Sequence, residues 1–307
     1  MLVLNTVIAF IVLVLFEPVE SIINGELEQW NRHGYLVKIF SREPNSNIVT
    51  SCSGSIISAS LVLTAPNCIR NATTHERFGE VAVNVPTFRV PRTLRAEILN
   101  VTDAWALLKI VKLPVKDLCP PNPAPVRVSQ LNVRVSLTKS SMETIDHSSL
   151  TERDCWITAF ATTYHASTFL HQHDVRKIQL EKLKPSYDNM NTGAIVYKAA
   201  IVSNRTACWD DAGAALTCHT NAFGDVQVGI FHSLSLGIYE SAGEVNDDET
   251  TTSARSMDQC SRAVSMNFAL IANDIRLIRA IERNDLPAFV DVYDKCNFKY
   301  AENIGKN

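Results

Sequence analysis

Cys208-Trp209-Asp210-Asp211-Ala212-Gly213-Ala214-Ala215-Leu216-Thr217-Cys218 is the stretch whose reading decides the fold. Two cysteines bracket a pair of aspartates, an alanine, a glycine and a short apolar run. Outward from it, residues 22 to about 272 alternate between short runs rich in Val, Ile, Leu and Thr and segments of Pro, Asn, Asp, Ser and Gly. That is the pattern of strands and turns. The clearest strand candidates are Tyr35–Phe40, Ser55–Leu63, Glu97–Val101, Val126–Leu137, Cys155–Ala161, Val175–Leu183, Ala194–Val202 and Val226–Phe231. Many short strands at this length imply an all-β sandwich or a pair of barrels. The polar stretch Lys139–Asp154 has no strand pattern and marks a boundary between two halves. Near the end, Asn273 or Asp274 can cap a short helix in which Ile275, Ile278 and Ile281 recur on one face, with Pro287 closing it.

The 307 residues are 46% hydrophobic and 20% charged, with a net charge of −3. Such a balance suits a globular chain and gives no reason to expect nucleic acid or an anionic membrane as partner. The apolar run Thr6–Phe16 is followed by Glu17-Pro18-Val19-Glu20-Ser21. It falls short of the roughly 20 apolar residues that a membrane-spanning helix needs. Residues 1–21 therefore read as a signal peptide, cut after Ser21, with small residues Val19 and Ser21 at the −3 and −1 places. Eight cysteines suit a disulfide framework in an oxidising compartment, although eight allow 105 connectivities and the count alone cannot choose. Sequons at Asn71, Asn100 and Asn204 agree with passage through the secretory route. The expected location is extracellular. His171 and His173 alternate on one strand face without a third ligand, so no metal site is expected, and no cofactor.

Four separated segments resemble one family, the chymotrypsin/trypsin-like serine proteases. Ile22-Ile23-Asn24-Gly25 resembles the N-terminus that those enzymes expose on activation. Cys52-Ser53-Gly54-Ser55-Ile56-Ile57-Ser58, running on to Leu63-Thr64-Ala65-Pro66-Asn67-Cys68, resembles CGGSLIS…LTAAHC. Ala104-Trp105-Ala106-Leu107-Leu108-Lys109-Ile110 resembles DIALLKL, and the Cys208–Cys218 stretch resembles CxGDSGGPLxC. Cys155–Ala161 and Gly229–Ser233 match more softly, to CxVxGWG and GIVSW. The resemblance implies two six-stranded antiparallel β-barrels with a cleft between them and a C-terminal helix. Residues 22–145 would form the first barrel, 146–283 the second barrel and helix, and 284–307 a tail. It further implies disulfides Cys52–Cys68, Cys155–Cys218 and Cys208–Cys260, leaving Cys119 and Cys296 for each other.

The chemistry of that family needs a nucleophile, a base and an orienting carboxylate. At those three places this chain carries Ala212, Asn67 and Ala104. A methyl group cannot attack a carbonyl, and an amide does not take a proton near neutral pH. Asp103 stands one residue before the orienting place, and in extended chain that shift turns a side chain to the other face. Asp210 replaces the glycine whose N–H serves the oxyanion, where an ionised carboxylate repels developing negative charge. Thr206 lies at the floor of the family's specificity pocket and Leu234 at its entrance, where it should narrow the opening. Ile22 and Asp211, which form a buried ion pair in processed family members, are both present.

The expectation is thus an inactive homologue that acts by binding secreted proteins, active proteases among them, as a cofactor, decoy or adaptor in an extracellular fluid such as haemolymph or seminal fluid. A structural or storage protein is the first alternative. An enzyme with unrelated chemistry in the old cleft, built on Asp210, Asp211 and His232, is the second. The acidic insertion Gly237–Asp258, which should project at the cleft rim, and the apolar tail Asn284–Asn307 read chiefly as a solvated loop and a covering of the body.

Overall fold

The computed structural model describes residues 22–29, 33–42, 49–71, 74–85, 92–113, 127–128, 154–160, 174–186, 196–220, 224–236, 260–271 and 274–284. These hold sixteen strands. In chain order they are β1 Glu26–Gln29, β2 Leu36–Arg42, β3 Val49–Ile56, β4 Leu61–Thr64, β5 Glu80–Val85, β6 Arg92–Arg95, β7 Glu97–Val101 and β8 Ala106–Lys109. There follow β9 Arg127–Val128, β10 Cys155–Phe160, β11 Asp174–Leu180, β12 Leu183–Ser186, β13 Val196–Ala200, β14 Ala215–Thr220, β15 Gly224–Leu236 and β16 Ala263–Leu270. A seven-stranded sheet runs β6-β5-β2-β3-β4-β8-β7, and a nine-stranded sheet runs β1-β11-β10-β14-β15-β16-β13-β12 with β9 beside β15. Apart from the β9–β15 contact, every pairing is antiparallel. Among the described residues β-sheet predominates, with a helix, α1, over residues 275–284. This is the all-β architecture that the resemblance implied.

Local chemistry explains where the elements differ from the sequence reading. Ser55–Leu63 is a hairpin instead of one strand: the Ser58 hydroxyl accepts the N–H groups of Ser60 at 3.2 Å and Leu61 at 3.0 Å and turns the chain between β3 and β4. A serine oxygen offered to the N–H two or three residues on is a standard way to break an extended run. On α1, the Asp274 carboxylate accepts the Arg276 N–H at 2.9 Å, which places the cap where it was expected. The buried face, however, is Leu277, Ala280 and Ile281, while Ile275 is 46% exposed. Ile275 is two residues from Leu277, about 200° round the helix, and so lies on the face opposite the buried one. Of Val126–Leu137 only β9 lies within the described residues, and the tail lies outside them.

Two apolar cores sit beneath the sheets. One gathers Leu36, Val37, Ile39, Leu61, Leu63, Trp105 and Leu107 with the α1 residues Leu277 and Ile281. The other gathers Ile22, Ile157, Leu216, Val228, Phe231 and Phe268. Burying a large side chain of this kind contributes roughly 1.5–3 kcal/mol. Disulfides join Cys52 to Cys68, Cys155 to Cys218, and Cys208 to Cys260. Cys155 and Cys218 stand directly opposite each other on β10 and β14. Cys119 and Cys296 lie outside the described residues.

Candidate functional site

Three short turns meet at the edge of the first core. The first is the 3-10 turn Pro66–Cys68 after β4, which carries Asn67. Proline at its start supplies a fixed φ and lacks an N–H that would otherwise go unused. The second is Thr102–Trp105, ahead of β8. There Thr102 Oγ1 accepts the N–H groups of Ala104 at 3.2 Å and Trp105 at 3.1 Å, and the Thr102 N–H donates to the Trp105 carbonyl at 2.8 Å. The third is the 3-10 turn Trp209–Asp211, leading to Ala212 and Gly213.

Ala212 and Ala104 are each only 2% exposed, so both methyl groups are packed into the core. The Ala212 N–H donates inward to the Trp209 carbonyl at 3.1 Å, and its carbonyl accepts the Ser53 N–H at 2.9 Å. The Cys68 sulfur lies 3.4 Å from the same carbonyl oxygen, so the first and third turns touch. Gly213 has φ +89, and a Cβ there would collide with the Ser53 carbonyl oxygen and the Thr64 hydroxyl. Only glycine fits that backbone.

The carboxylates go elsewhere. Arg70 Nη2 donates to Asp103 Oδ1 at 2.8 Å, tying the second turn to a residue two places past the first. Asp211 is fully buried, and its Oδ2 accepts the Cys208 N–H at 2.8 Å. The Asp210 carbonyl accepts Lys38 Nζ at 3.2 Å. His232, on β15, hydrogen-bonds the Asp103 backbone instead of joining Asp210 and Asp211 as the enzyme alternative supposed. Burial pushes its imidazole below the ordinary range near 6.5, and the neighbouring Arg70 charge pushes the same way. Among the described residues, His232 Nδ1 and Asn67 Oδ1 are buried acceptors without a hydrogen-bond partner.

Thr206 and Leu234, on the specificity-pocket side, are both buried. Thr206 is 2% exposed with its hydroxyl turned onto the Ala207 carbonyl at 2.9 Å. Leu234 is buried with Ala207, Cys208, Phe231 and Met266. The N-terminal stretch docks nearby: Ile23 and Thr206 exchange backbone hydrogen bonds of 2.8 and 3.2 Å, and the Ile22 carbonyl accepts Arg176 Nη1 at 3.2 Å. Ile22 is 1% exposed. Asn24 takes φ +53, a region asparagine tolerates, and Gly25 leaves room that a Cβ would take from the Ile22 side chain.

Of the sequons, Asn71 turns its Oδ1 to the Thr74 N–H at 3.1 Å, Asn100 lies half-buried on β7, and Asn204 is exposed in a turn at φ +56. His171, His173 and the 237–258 insertion lie outside the described residues. Among the described residues no group of three or more His, Cys, Asp or Glu is placed to hold a metal ion, and no helix is long and apolar enough to cross a membrane. The sequence reading missed Lys38 and Arg70, whose partners are far along the chain and leave no local pattern. Lysine inside a β-strand of apolar neighbours was the one available signal for the first.

Comparison with known proteins agrees with this geometry. A solved structure of HL collagenase aligns with a TM-score of 0.55 at 13% identity, covering 84% of this chain and 96% of that one. At that identity the likeness shows the fold alone. No curated protein sequence matches. The Trypsin family model matches residues 22–247, well over half of the chain. Joined to the two antiparallel sheets and the disulfides that staple them, that match makes the chain a member of the trypsin-like serine protease family.

Proposed function

We propose that this protein is a secreted, non-catalytic member of the family that works by binding other extracellular proteins as a cofactor, decoy or adaptor. The observation that carries the reading is Ala212, a packed methyl group where the family's nucleophile would stand, with its own N–H spent on the Trp209 carbonyl. Neither a nucleophile nor a free oxyanion donor is offered there, and loss of one such donor alone costs about 10²–10³-fold in rate. Asn67 and Ala104 supply no base and no orienting carboxylate, and the carboxylate next to Ala104 in sequence, Asp103, is already bound to Arg70. Leu234, paired with Met266 across the sheet and buried beside it, narrows the entrance that a substrate side chain would use, which supports recognition by surface over recognition by a pocket. The signal-peptide pattern, the disulfides and the sequons support secretion.

The test has two arms. The secreted protein should not react with fluorophosphonate probes or turn over peptide substrates, and labelling at Asn67, Ala212 or a neighbour would sink the reading. Affinity purification from the native fluid, followed by mass spectrometry, should recover a stoichiometric secreted partner. Recovery of the chain alone would favour a structural or storage role.

A further inference from the structure

Lys38 sits in the middle of β2 between Val37 and Ile39, both wholly buried, and is itself 8% exposed. Its cross-strand neighbours are Ser53 on β3 and Asn84 on β5, both buried. A long cationic side chain in such a place loses hydration and side-chain freedom, so it should have a specific task. Its ammonium donates to the Asp210 carbonyl oxygen at 3.2 Å. One strand over, the Ser53 N–H donates to the Ala212 carbonyl at 2.9 Å. Adjacent strands thus grip the same turn at 210 and at 212.

That turn is rich in acidic side chains. It carries Asp210 and the fully buried Asp211, and the carbonyl that Lys38 holds is the peptide link between them. Within the turn, Asp211 N–H donates to the Cys208 carbonyl at 3.0 Å and Ala212 N–H to the Trp209 carbonyl at 3.1 Å. An amino group at Ile22 would be a second cation for this region, but it exists only after the Ser21–Ile22 bond is cut. The Lys38 charge is present in the chain as synthesised.

We infer that Lys38 is a positioning residue that holds the Cys208–Gly213 turn in its closed, hydrogen-bonded form whether or not the N-terminus has been freed. The ordering of this turn is thereby uncoupled from processing. The inference is independent of the non-catalytic reading, because it concerns the shape of the turn and not what the turn does.

The experiment uses the full secreted chain in two forms, one beginning at Ile22 and one carrying a short Gly-Ser extension ahead of it. Hydrogen exchange at the Asp211 and Ala212 amides is the readout, with the β4 amides as the reference for global opening. With Lys38 present, the extension should change exchange by less than about threefold, whereas Lys38→Met in the extended form should raise it about tenfold or more while β4 stays protected. Lys38→Arg should protect, and Lys38→Gln, which keeps a donor without the charge, should not. Three results would each overturn the inference: unchanged exchange in extended Lys38→Met, loss of protection on extension alone, or protection by Lys38→Gln equal to that by lysine. Should Lys38→Met fail to be secreted, the Arg and Gln variants decide between the same outcomes.

Discussion

Arg70 Nη2 reaches Asp103 Oδ1 across 2.8 Å, and His232 bonds the backbone of the same aspartate. The carboxylate nearest in sequence to Ala104 is therefore already committed to a guanidinium, and the imidazole beside it is bonded to backbone. Rebuilding hydrolysis would have to displace this arrangement as well as replace three side chains.

Reversion is accordingly expected to fail in stages. Ala212→Ser alone should give no probe labelling. The combination Asn67→His, Ala104→Asp and Ala212→Ser should still run at least about 10²-fold below an intact site, since Ala212 N–H points to Trp209 and Asp210 replaces the glycine. Active-site titration and chromogenic peptide turnover of the triple variant measure this.

The start of the helix is fastened to the second turn by a part-buried hydrogen bond. Trp105 is fully buried and its Nε1 donates to Asp274 Oδ2 at 2.8 Å. Asp274→Ala removes the acceptor, the helix cap and the partner of Arg276 together, and should cost about 1–3 kcal/mol. Trp105→Phe, which removes donor and keeps most of the packing, should cost less than Asp274→Ala if the stranded N–H is the larger penalty. Chemical denaturation of both variants compares them.

Acid should weaken the fold through His232. Its folded pKa is lowered, by burial first and by the Arg70 charge in addition, with Asp103 opposing. The unfolded chain then binds the proton more readily. The contribution is complete above the unfolded value of about 6.5 and is lost as pH falls below it toward the folded pKa. Melting temperature should therefore drop between neutral pH and pH 5, and His232→Gln should flatten that slope. An equal slope in the variant would assign the loss to other groups.

The proposed secretion with a cut after Ser21 predicts that N-terminal sequencing of the mature protein begins Ile-Ile-Asn-Gly. If the amino group of Ile22 then pairs with Asp211, Asp211→Ala strands a buried charge and should destabilise by about 3–5 kcal/mol. Any other start refutes the ion pair without touching the role inferred for Lys38.

Non-reducing peptide mapping should find four disulfides and no free thiol, the fourth being Cys119–Cys296. Loss of that long-range bridge should cost about 2–5 kcal/mol.

Much of this was legible in the chain, and for identifiable reasons. The segments around Cys52, Cys68, Cys208 and Cys218 carry residue types and spacings that only the assembled block explains, so the fold followed from them. The hairpin inside Ser55–Leu63 was hidden because the turn is made by one serine side chain and not by glycine or proline. The buried face of α1 was read correctly at Ile281 and wrongly at Ile275, which is apolar yet lies about 200° round the helix from Leu277. Arg70–Asp103, Lys38–Asp210 and Trp105–Asp274 join residues far apart in sequence, and pairing of that kind leaves no periodic trace. His232 was noticed for its chemistry and assigned to the wrong neighbours, because only the sheet register sets which turn β15 passes.

The pairing of β1 with β11 governs the order in which the molecule can be made. Glu26 finds its partner at Lys177, and Ile23 finds Thr206. On a ribosome, β1 would emerge on the order of ten seconds before β11 has been translated. The first strand synthesised is thus among the last to be seated, and it must wait unpaired while the seven-stranded sheet closes without it. Such non-local closure slows folding and leaves an adhesive segment exposed in the interval. The yield of folded protein should therefore respond more sharply to changes in Glu26–Gln29 than the four residue pairs of that strand would suggest.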